Sequence, residues 1–314
     1  MILLKNINII PCNPNVREKI YRGSILICNG SIVSIFRGKK DAPCGANILT
    51  VDFEFKKFVI PSLIDAHVHL HNSKYCLGKN SVSKKLRQLM RWGVFSAFDL
   101  YSNYSSIEEL SQIPRNDPCF PDIYFAAQCF TPSSGYCTQF GFKYLRSDSP
   151  KDIDRHFKDL DKMTFDFLKV MIEEGSILGR YKSIDRLALQ RIISLSSKHR
   201  YKLIAHISTL DSLNKYIQMG GRVFTHTMRD TTDILSLISK IEDLSYPLFS
   251  IPTLTAHESY HNMYGTKMFR YFYFYRHLDH RERLLCKNYL STCRRDAPKY
   301  GNYHKVKANF QRLI

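Results

Sequence analysis

The pattern of apolar and polar residues changes near residue 59 of the chain. Before that point the apolar residues recur with a period of two, which predicts short β-strands. These runs are residues 3–10, 23–27, 31–36 and 48–53. Asn29-Gly30 lies between two of them and is a strong signal for a hairpin turn. We therefore predict a small β-rich, half-sandwich-like segment over residues 1–58.

From residue 59 onward, apolar runs of strand length alternate with amphipathic stretches of helical period. This succession is typical of βα units and a parallel sheet, the α/β class. The predicted strands are residues 59–66, 94–100, 122–128, 166–172, 202–207, 222–227 and 247–253. The predicted helices are residues 82–92, 150–163, 183–199, 209–219, 231–243, 278–294 and 297–313. A complete (β/α) barrel has eight strands, so we predict a TIM-like barrel over residues 59–314 that lacks its last strand.

The composition narrows the class of protein without changing this picture. The chain has 314 residues, 44% of them hydrophobic, which is enough for a sizeable core. It has no run of about 18 apolar residues, so no membrane partner is predicted. Its nine cysteines form no CxxC pair, and its first residues lack the pattern of a signal peptide. These features predict a cytoplasmic protein with reduced thiols.

The net charge of +18 is spread unevenly along the chain. Residues 264–314 hold 12 Lys and Arg against 3 Asp and Glu. Such a balance can attract nucleic acid or an anionic surface. No nucleic-acid-binding motif accompanies the charge, so a basic surface without a dedicated partner is favoured over nucleic-acid binding. The composition leaves open whether the protein is a homo-oligomer.

Histidines stand at the ends of three predicted strands. His67 and His69 are two residues apart, so both side chains point to the same face of their strand. His206 and His226 end the fifth and sixth predicted strands. In a parallel barrel the carboxyl ends of the strands surround one mouth, so we expect the four imidazoles to converge. Imidazole is a common ligand of zinc, and the cluster therefore predicts a metal site.

Three further polar residues belong to the same predicted strands. Lys169 lies inside the apolar fourth strand, where an ammonium group is costly unless its charge is paired or removed. Asp65 precedes His67 on the same strand face, and it either orients a ligand histidine or caps the strand end. Asp99 ends the second strand and is interpreted as a structural hydrogen-bonding residue.

Together these residues resemble the amidohydrolase superfamily, and within it the imidazolonepropionase-like and Xaa-Pro-dipeptidase-like branch. The resemblance rests on residues 61–69, on the lysine of the fourth strand, on Ala205-His206 and on Thr225-His226, which follow the family order. The β-rich opening is similar to the half-sandwich that precedes the barrel in the family. Ser62 departs from the pattern, because glycine is usual at that position.

The resemblance implies two divalent metal ions, with zinc favoured and manganese, iron or cobalt as alternatives. His67 and His69 would hold one ion, and His206 and His226 would hold the other. Lys169, carboxylated by carbon dioxide to a carbamate, would bridge the two ions. The implied activity is hydrolysis of a carbon–nitrogen bond in a small amide, cyclic amide or small peptide through a metal-activated water.

Two residues near the predicted mouth are candidate substrate contacts. Tyr136 lies in the third βα loop, where the family branch often has a glycine-rich substrate loop. Arg229 follows His226 by three residues and could bind a substrate carboxylate. Each also has an ordinary interpretation, as a loop tyrosine and as a surface arginine.

One part of the family pattern is missing from the sequence. The eighth barrel strand of the family carries an aspartate that binds the first metal and moves a proton to the leaving amine. The sequence ends at Ile314 without such a segment, so no catalytic residue is assigned and the first metal site is expected to be impaired. The alternative prediction is therefore a catalytically impaired or inactive truncated homologue, with the basic tail binding an anion or nucleic acid.

Overall fold

The computed structural model describes residues 1–13, 15–38, 45, 47–70, 81–101, 104–114, 117–138, 141, 143–173, 181–226, 228 and 244–253. The chain divides into two compact units, Met1–Leu63 and Ile64–Ile314. This division falls a few residues after the predicted boundary between residues 58 and 59. The assignment of the two segments as separate domains stays a prediction.

The first unit is built on one five-stranded sheet. Its strands are β1 (Ile2–Ile9), β2 (Tyr21–Cys28), β3 (Ser31–Arg37), β4 (Leu49–Asp52) and β5 (Phe58–Val59). Their hydrogen-bonded order is β3-β2-β1-β4, with β5 also paired to β1. Asn29 and Gly30 join β2 to β3 with φ angles of 48° and 77°, the positive values that a type I′ hairpin turn requires. The predicted hairpin and β-rich opening are confirmed.

The second unit contains parallel strands in two hydrogen-bonded sets. The first set is β6 (Leu63–Val68), which begins at the division between the units, β7 (Val94–Asp99) and β8 (Asp122–Phe125). The second set, in hydrogen-bonded order, is β10 (Leu145–Arg146), β9 (Phe130–Thr131), β11 (Phe167–Ile172), β12 (Lys202–Ile207), β13 (Val223–Thr225) and β14 (Phe249–Ile251). A parallel bridge between Ala126 and Phe167 connects the two sets. Each of the seven predicted regions therefore contains a strand, and the pairings of β7 with β8 and of β11 through β14 are parallel.

Two details of the strand prediction need correction. The run 59–66 is divided, because Phe58–Val59 pairs with β1 in the first unit and β6 begins only at Leu63. Pro61 lies between them and has no N–H group to donate to a sheet, which explains the interruption. The two-residue strands β9 and β10 were not predicted, since their length carries no measurable period.

Helices cover the apolar faces of this sheet. They are α1 (Ser81–Arg91), α2 (Tyr104–Ser111), α3 (Pro150–Leu160), α4 (Arg186–Lys198) and α5 (Leu210–Gln218). The Ser149 hydroxyl accepts a hydrogen bond from the Asp152 N–H at the start of α3, so the helix begins where the Ser-Pro pair predicted. The predicted helices 231–243, 278–294 and 297–313 lie outside the described residues. None of the described helices is long and apolar enough to cross a membrane.

The main core of the second unit surrounds β11, whose six side chains are all buried. Residues of α3 and α4, among them Ile153, Leu160 and Ile192, pack in the same cluster. Burial of the whole strand explains why it reads as a continuous apolar run. It also means that the one charged residue of the strand, Lys169, lies inside the protein.

Candidate metal centre

The carboxyl ends of three strands bring the predicted histidines together. His67 is in β6, and His69 follows that strand directly. His206 is in β12, where it is paired in register with Thr225 of β13, and His226 follows β13 directly. Because parallel strands end on one side of a sheet, side chains at these positions share one mouth.

The four imidazole rings form a continuous chain of contacts. The ring centroids of His69 and His67 are 5.0 Å apart, and those of His67 and His226 are also 5.0 Å apart. The rings of His226 and His206 are closer, at 4.4 Å. The structure thus brings together four residues that are separated by up to 159 positions in the sequence, from 67 to 226.

Lys169 lies on the floor of this arrangement and is only 1% exposed. Its amine donates a hydrogen bond to the Thr225 hydroxyl at 3.0 Å, and that hydroxyl donates to the Ala205 carbonyl at 3.3 Å. The described residues give Lys169 no carboxylate partner. Burial therefore lowers the pKa of Lys169 to about 7, so that much of the amine is neutral near pH 7.

Burial favours the neutral form of His67 and His69. Burial, followed by the charge of Lys169, strongly lowers the pKa of His67. Its Nδ1 is buried and has no hydrogen-bond partner among the described residues. His69 keeps an exposed surface, yet desolvation of its ring, ahead of the Lys169 charge, lowers its pKa to about 4. Neutral imidazoles have a lone pair available, as a metal ligand requires.

A carboxylate that the sequence analysis missed adjoins the cluster. Glu173 follows β11 directly, and its side chain is fully buried. Its Oε2 lies 3.1 Å from Nε2 of His206 and accepts a hydrogen bond from the Ser208 hydroxyl at 2.6 Å. Alternation along the strand places residues 169, 171 and 173 on one face, and this spacing from Lys169 was the signal that could have found it.

His226 is held in an unusual backbone conformation. Its φ is 79°, in the region that residues other than glycine rarely adopt. Its backbone N–H donates to the Ile251 carbonyl at 2.8 Å, and its Nδ1 lies 2.8 Å from the Thr253 hydroxyl. The bonds to Ile251 of β14 and to Thr253, which follows that strand by two residues, hold the ring toward the mouth. Strained residues of this kind cluster at functional sites.

The remaining candidates have different outcomes. Tyr136 stacks on His206, with ring centroids 4.7 Å apart, and contacts Tyr181 edge-on at 5.3 Å. Arg229 lies outside the described residues, as does the basic segment 264–314. The placement of Tyr136 puts it at the mouth, and its role as a substrate contact stays a prediction.

The two strand-end aspartates bond to backbone. Asp65 accepts a hydrogen bond from the His67 N–H at 3.1 Å, so it fixes the local backbone before the histidine pair. Asp99 accepts from the N–H groups of Leu70 and Tyr101, each at 3.2 Å. The structural interpretation of Asp99 is confirmed. The bonds of Asp99 hold the segment after β6, including His69, against the end of β7.

The cluster fits a divalent metal in part. Neutral imidazoles and the orphaned Nδ1 of His67 suit a metal ligand set. Against this, no three His, Cys, Asp or Glu side chains within the described ranges are grouped as a finished metal site. The imidazoles lie in a chain, and the buried Lys169 amine is near them. While that amine carries its third proton it has no lone pair and cannot bind a metal.

The chain resembles known proteins more clearly in its fold than in its sequence. No protein-family model matches the sequence. A dihydroorotase from Pyrococcus horikoshii is 23% identical over 217 residues, which cover 64% of this chain and 49% of that protein. The chain thus matches about half the length of this curated relative.

Solved structures match over most of the chain. A Xaa-Pro dipeptidase with bound methionine in its active site has a TM-score of 0.67 and 14% identity, covering 100% of this chain and 84% of that one. A prolidase complexed with N-methylphosphonate-L-proline has a TM-score of 0.65 and 15% identity, covering 96% and 76%. The resemblance seen in the sequence is therefore confirmed at the level of the fold: this chain has a β-rich N-terminal sheet followed by an α/β fold with parallel strands, and this fold matches the TIM-barrel folds of a solved amidohydrolase and of solved Xaa-Pro dipeptidases and prolidases.

Proposed function

We propose that the protein is a metal-dependent amidohydrolase that cleaves a carbon–nitrogen bond in a small peptide, amide or cyclic amide. The observation that carries this proposal is the chain of four imidazole rings, with neighbouring centroids 4.4–5.0 Å apart, together with the buried Lys169 amine that bonds to Thr225, the residue before His226. A lysine without a described carboxylate partner is costly in a core. Its presence among four strand-end histidines is explained if the lysine becomes part of the centre they form.

Each residue of the proposed centre has a definite part. His67 and His69 would hold one divalent ion, and His206 and His226 would hold a second, while Lys169 would join the two. When bound, such ions supply a polarised substrate carbonyl and a water acidic enough to attack it near neutral pH. Zinc is the first choice for a set of imidazoles.

Lys169 can supply an anionic oxygen ligand to both ions only after its amine is modified. A neutral amine attacks carbon dioxide, forming an N–C bond and releasing one proton, and the product is a carbamate with an anionic oxygen pair. The lowered pKa of about 7 supplies the neutral amine that this step needs. The Thr225 hydroxyl, 3.0 Å from the amine, orients the nitrogen while it reacts.

The substrate class is proposed from the neighbours and from the wall of the mouth. One neighbour has methionine bound in its active site, and another is complexed with N-methylphosphonate-L-proline. In this chain Tyr136 forms an aromatic wall beside His206, which suits an apolar side chain or a proline ring. Arg229 is proposed as the partner of a substrate carboxylate.

The test measures bound metal and hydrolysis separately. The full chain is purified in bicarbonate-containing buffer, loaded with Zn²⁺ and analysed for bound metal, then assayed on a panel of Xaa-Pro dipeptides, other dipeptides and cyclic amides. We expect stoichiometric metal and cleavage of at least one member of the panel. His226→Ala should abolish binding of the ion that His206 and His226 hold. His199 is exposed at the end of α4, so His199→Ala should leave the metal content unchanged.

Two results would reject the proposal in different ways. Protein that holds no divalent ion at stoichiometric level would remove the metal-dependent function altogether. Protein that holds the ions but cleaves no member of the panel would reject the proposed substrate class. Labelling with ¹³C-bicarbonate adds a third reading, because a carbamate signal should appear in the wild type and be absent from Lys169→Ala.

A further inference from the structure

The Glu173 carboxylate and the His206 imidazole meet at the ends of two neighbouring parallel strands. β11 ends at Ile172 and β12 ends at Ile207, so Glu173 and Ser208 are the first residues beyond each strand. Oε2 of Glu173 lies 3.1 Å from Nε2 of His206 and 2.6 Å from the Ser208 hydroxyl. The side chains of Glu173 and His206 are 0% and 5% exposed, so their contact is shielded from water.

We propose that Glu173 is a positioning residue of the metal centre, which selects the tautomer and orientation of His206; the proposal rests on the function proposed above. A neutral imidazole carries one N–H group and one lone pair. If Nε2–H donates to Glu173, the lone pair is on Nδ1, and Nδ1 is the atom that binds the ion. Histidine ligands of metals commonly donate their other N–H to a carboxylate in this way.

The shared oxygen atom supports this direction of the hydrogen bond. Ser208 donates its hydroxyl hydrogen to the same Oε2 that faces His206. An ionised carboxylate oxygen has lone pairs enough to accept from both donors. A short bond from a hydroxyl to a charged oxygen is also expected to be strong. With Glu173 as the acceptor of both bonds, His206 is the donor.

A second contact fixes the plane of the same ring. Tyr136 stacks on His206 at a centroid distance of 4.7 Å and an interplanar angle of 29°. Stacking limits the tilt of the imidazole but leaves rotation within its plane, and it does not distinguish the two nitrogen atoms. The bond to Glu173 limits that rotation and distinguishes Nε2 from Nδ1. His206 is therefore defined by two independent contacts before an ion binds.

Glu173 places a buried carboxyl group beside a group of residues that are otherwise neutral or cationic. Lys169 is four residues earlier on the same strand, and it faces the imidazoles. A carboxylate at this point raises the basicity of the ligand that it contacts, which strengthens binding of a divalent ion. Glu173 touches the ring and not the reacting atoms, so its effect on hydrolysis passes through His206.

The first experiment reads the tautomer directly in metal-free protein. Two-dimensional ¹H–¹⁵N spectra of histidine-labelled wild type should show His206 protonated on Nε2, and Glu173→Leu should lose that preference. His206→Gln identifies the signal. A wild-type His206 protonated on Nδ1 would overturn the proposal, and this reading requires neither bound metal nor activity.

The second experiment measures Zn²⁺ affinity by competition with a chelator. Loss of a partner of this kind typically weakens binding about 10–100-fold, which we expect for Glu173→Leu. Glu173→Gln should recover most of the loss, because its amide oxygen can accept the same hydrogen bond. Asp166→Asn is the matched control, since Asp166 lies before the other end of β11 and accepts from the Phe125 N–H at 3.0 Å.

The outcomes separate this inference from the proposed function. If folded Glu173→Leu binds Zn²⁺ as tightly as the wild type, Glu173 does not position a ligand and the inference is wrong. If Asp166→Asn weakens binding as much as Glu173→Leu, the effect is general destabilisation, which also overturns it. If the wild type binds no Zn²⁺ at all, the proposed function fails, and the positioning role in a metal centre fails with it, whatever the tautomer.

Discussion

The Lys169 amine and the Thr225 hydroxyl are 3.0 Å apart, although their strands β11 and β13 are separated in the sheet by β12. The same hydroxyl donates to the Ala205 carbonyl of β12, so one threonine side chain links three strands. Thr225 is 0% exposed and Lys169 is 1% exposed. The contact is therefore a buried polar link beneath the four histidines.

Replacing Thr225 with valine should destabilise the fold. The change keeps the shape of the side chain but leaves the buried amine without this acceptor, a loss of about 1–3 kcal/mol in the free energy of unfolding. Lys169→Met removes the amine itself and should cost less, because the strand is otherwise apolar. Urea unfolding of both variants and of the double variant tests this. A double variant as unstable as the sum of the two single changes would show that the two groups are not coupled.

Zinc should stabilise the wild type through the histidines. An ion that binds only the folded protein adds about 2.7 kcal/mol at 100 times its dissociation constant, so the melting temperature should rise on adding Zn²⁺ and fall back with a chelator. His67→Leu should lose the part of that rise that comes from the ion held by His67 and His69. Because Nδ1 of His67 is buried without a described partner, the same variant should be no less stable than the wild type in metal-free buffer. A His67→Leu protein whose melting temperature rises with Zn²⁺ as much as that of the wild type would contradict the assignment.

Asp152 should make stability depend on pH in the acid range. Hydrogen bonding to Arg146, together with Ser149 and the charges of Arg146 and Arg155, lowers the pKa of this carboxyl. Its contribution is therefore complete above the unfolded-state pKa of about 3.9 and is lost as the pH falls through the lower, folded-state value. Asp152→Asn should cost about 1 kcal/mol at pH 7, since both arginines are largely exposed. The difference between the two proteins should shrink below about pH 4, as measured by urea unfolding across the range.

Gly221 should not tolerate a larger residue. A Cβ at this position would lie 2.4 Å from ring carbons of Tyr216, which is fully buried. Gly221→Ala should therefore cost about 1–3 kcal/mol by overpacking. Tyr216→Leu in the same chain should relieve part of that cost. Gly220→Ala is the control, because its position has open space and a φ of +89°, so its cost comes from the backbone and should not change with Tyr216→Leu.

Much of the architecture could be predicted from hydrophobic period alone. The two-residue period before residue 59 and the strand–helix alternation after it are local properties of the sequence, and the structure has a β-rich sheet followed by parallel strands. Strand ends were less predictable. Pro61 interrupts one predicted strand, and the short strands β9 and β10 depend on neighbours that no local pattern reveals.

The sequence by itself determined which residues could form the site, because His67, His69, Lys169, His206 and His226 all fall at or inside predicted strands and parallel strands end on one side. Only the tertiary structure decided how they meet. The contact of Lys169 with Thr225 and the approach of Glu173 to His206 join residues 56 and 33 positions apart, and the ring contact of His67 with His226 joins residues 159 positions apart. Such contacts depend on the register and twist of neighbouring strands, and hydrophobic period contains no information about either.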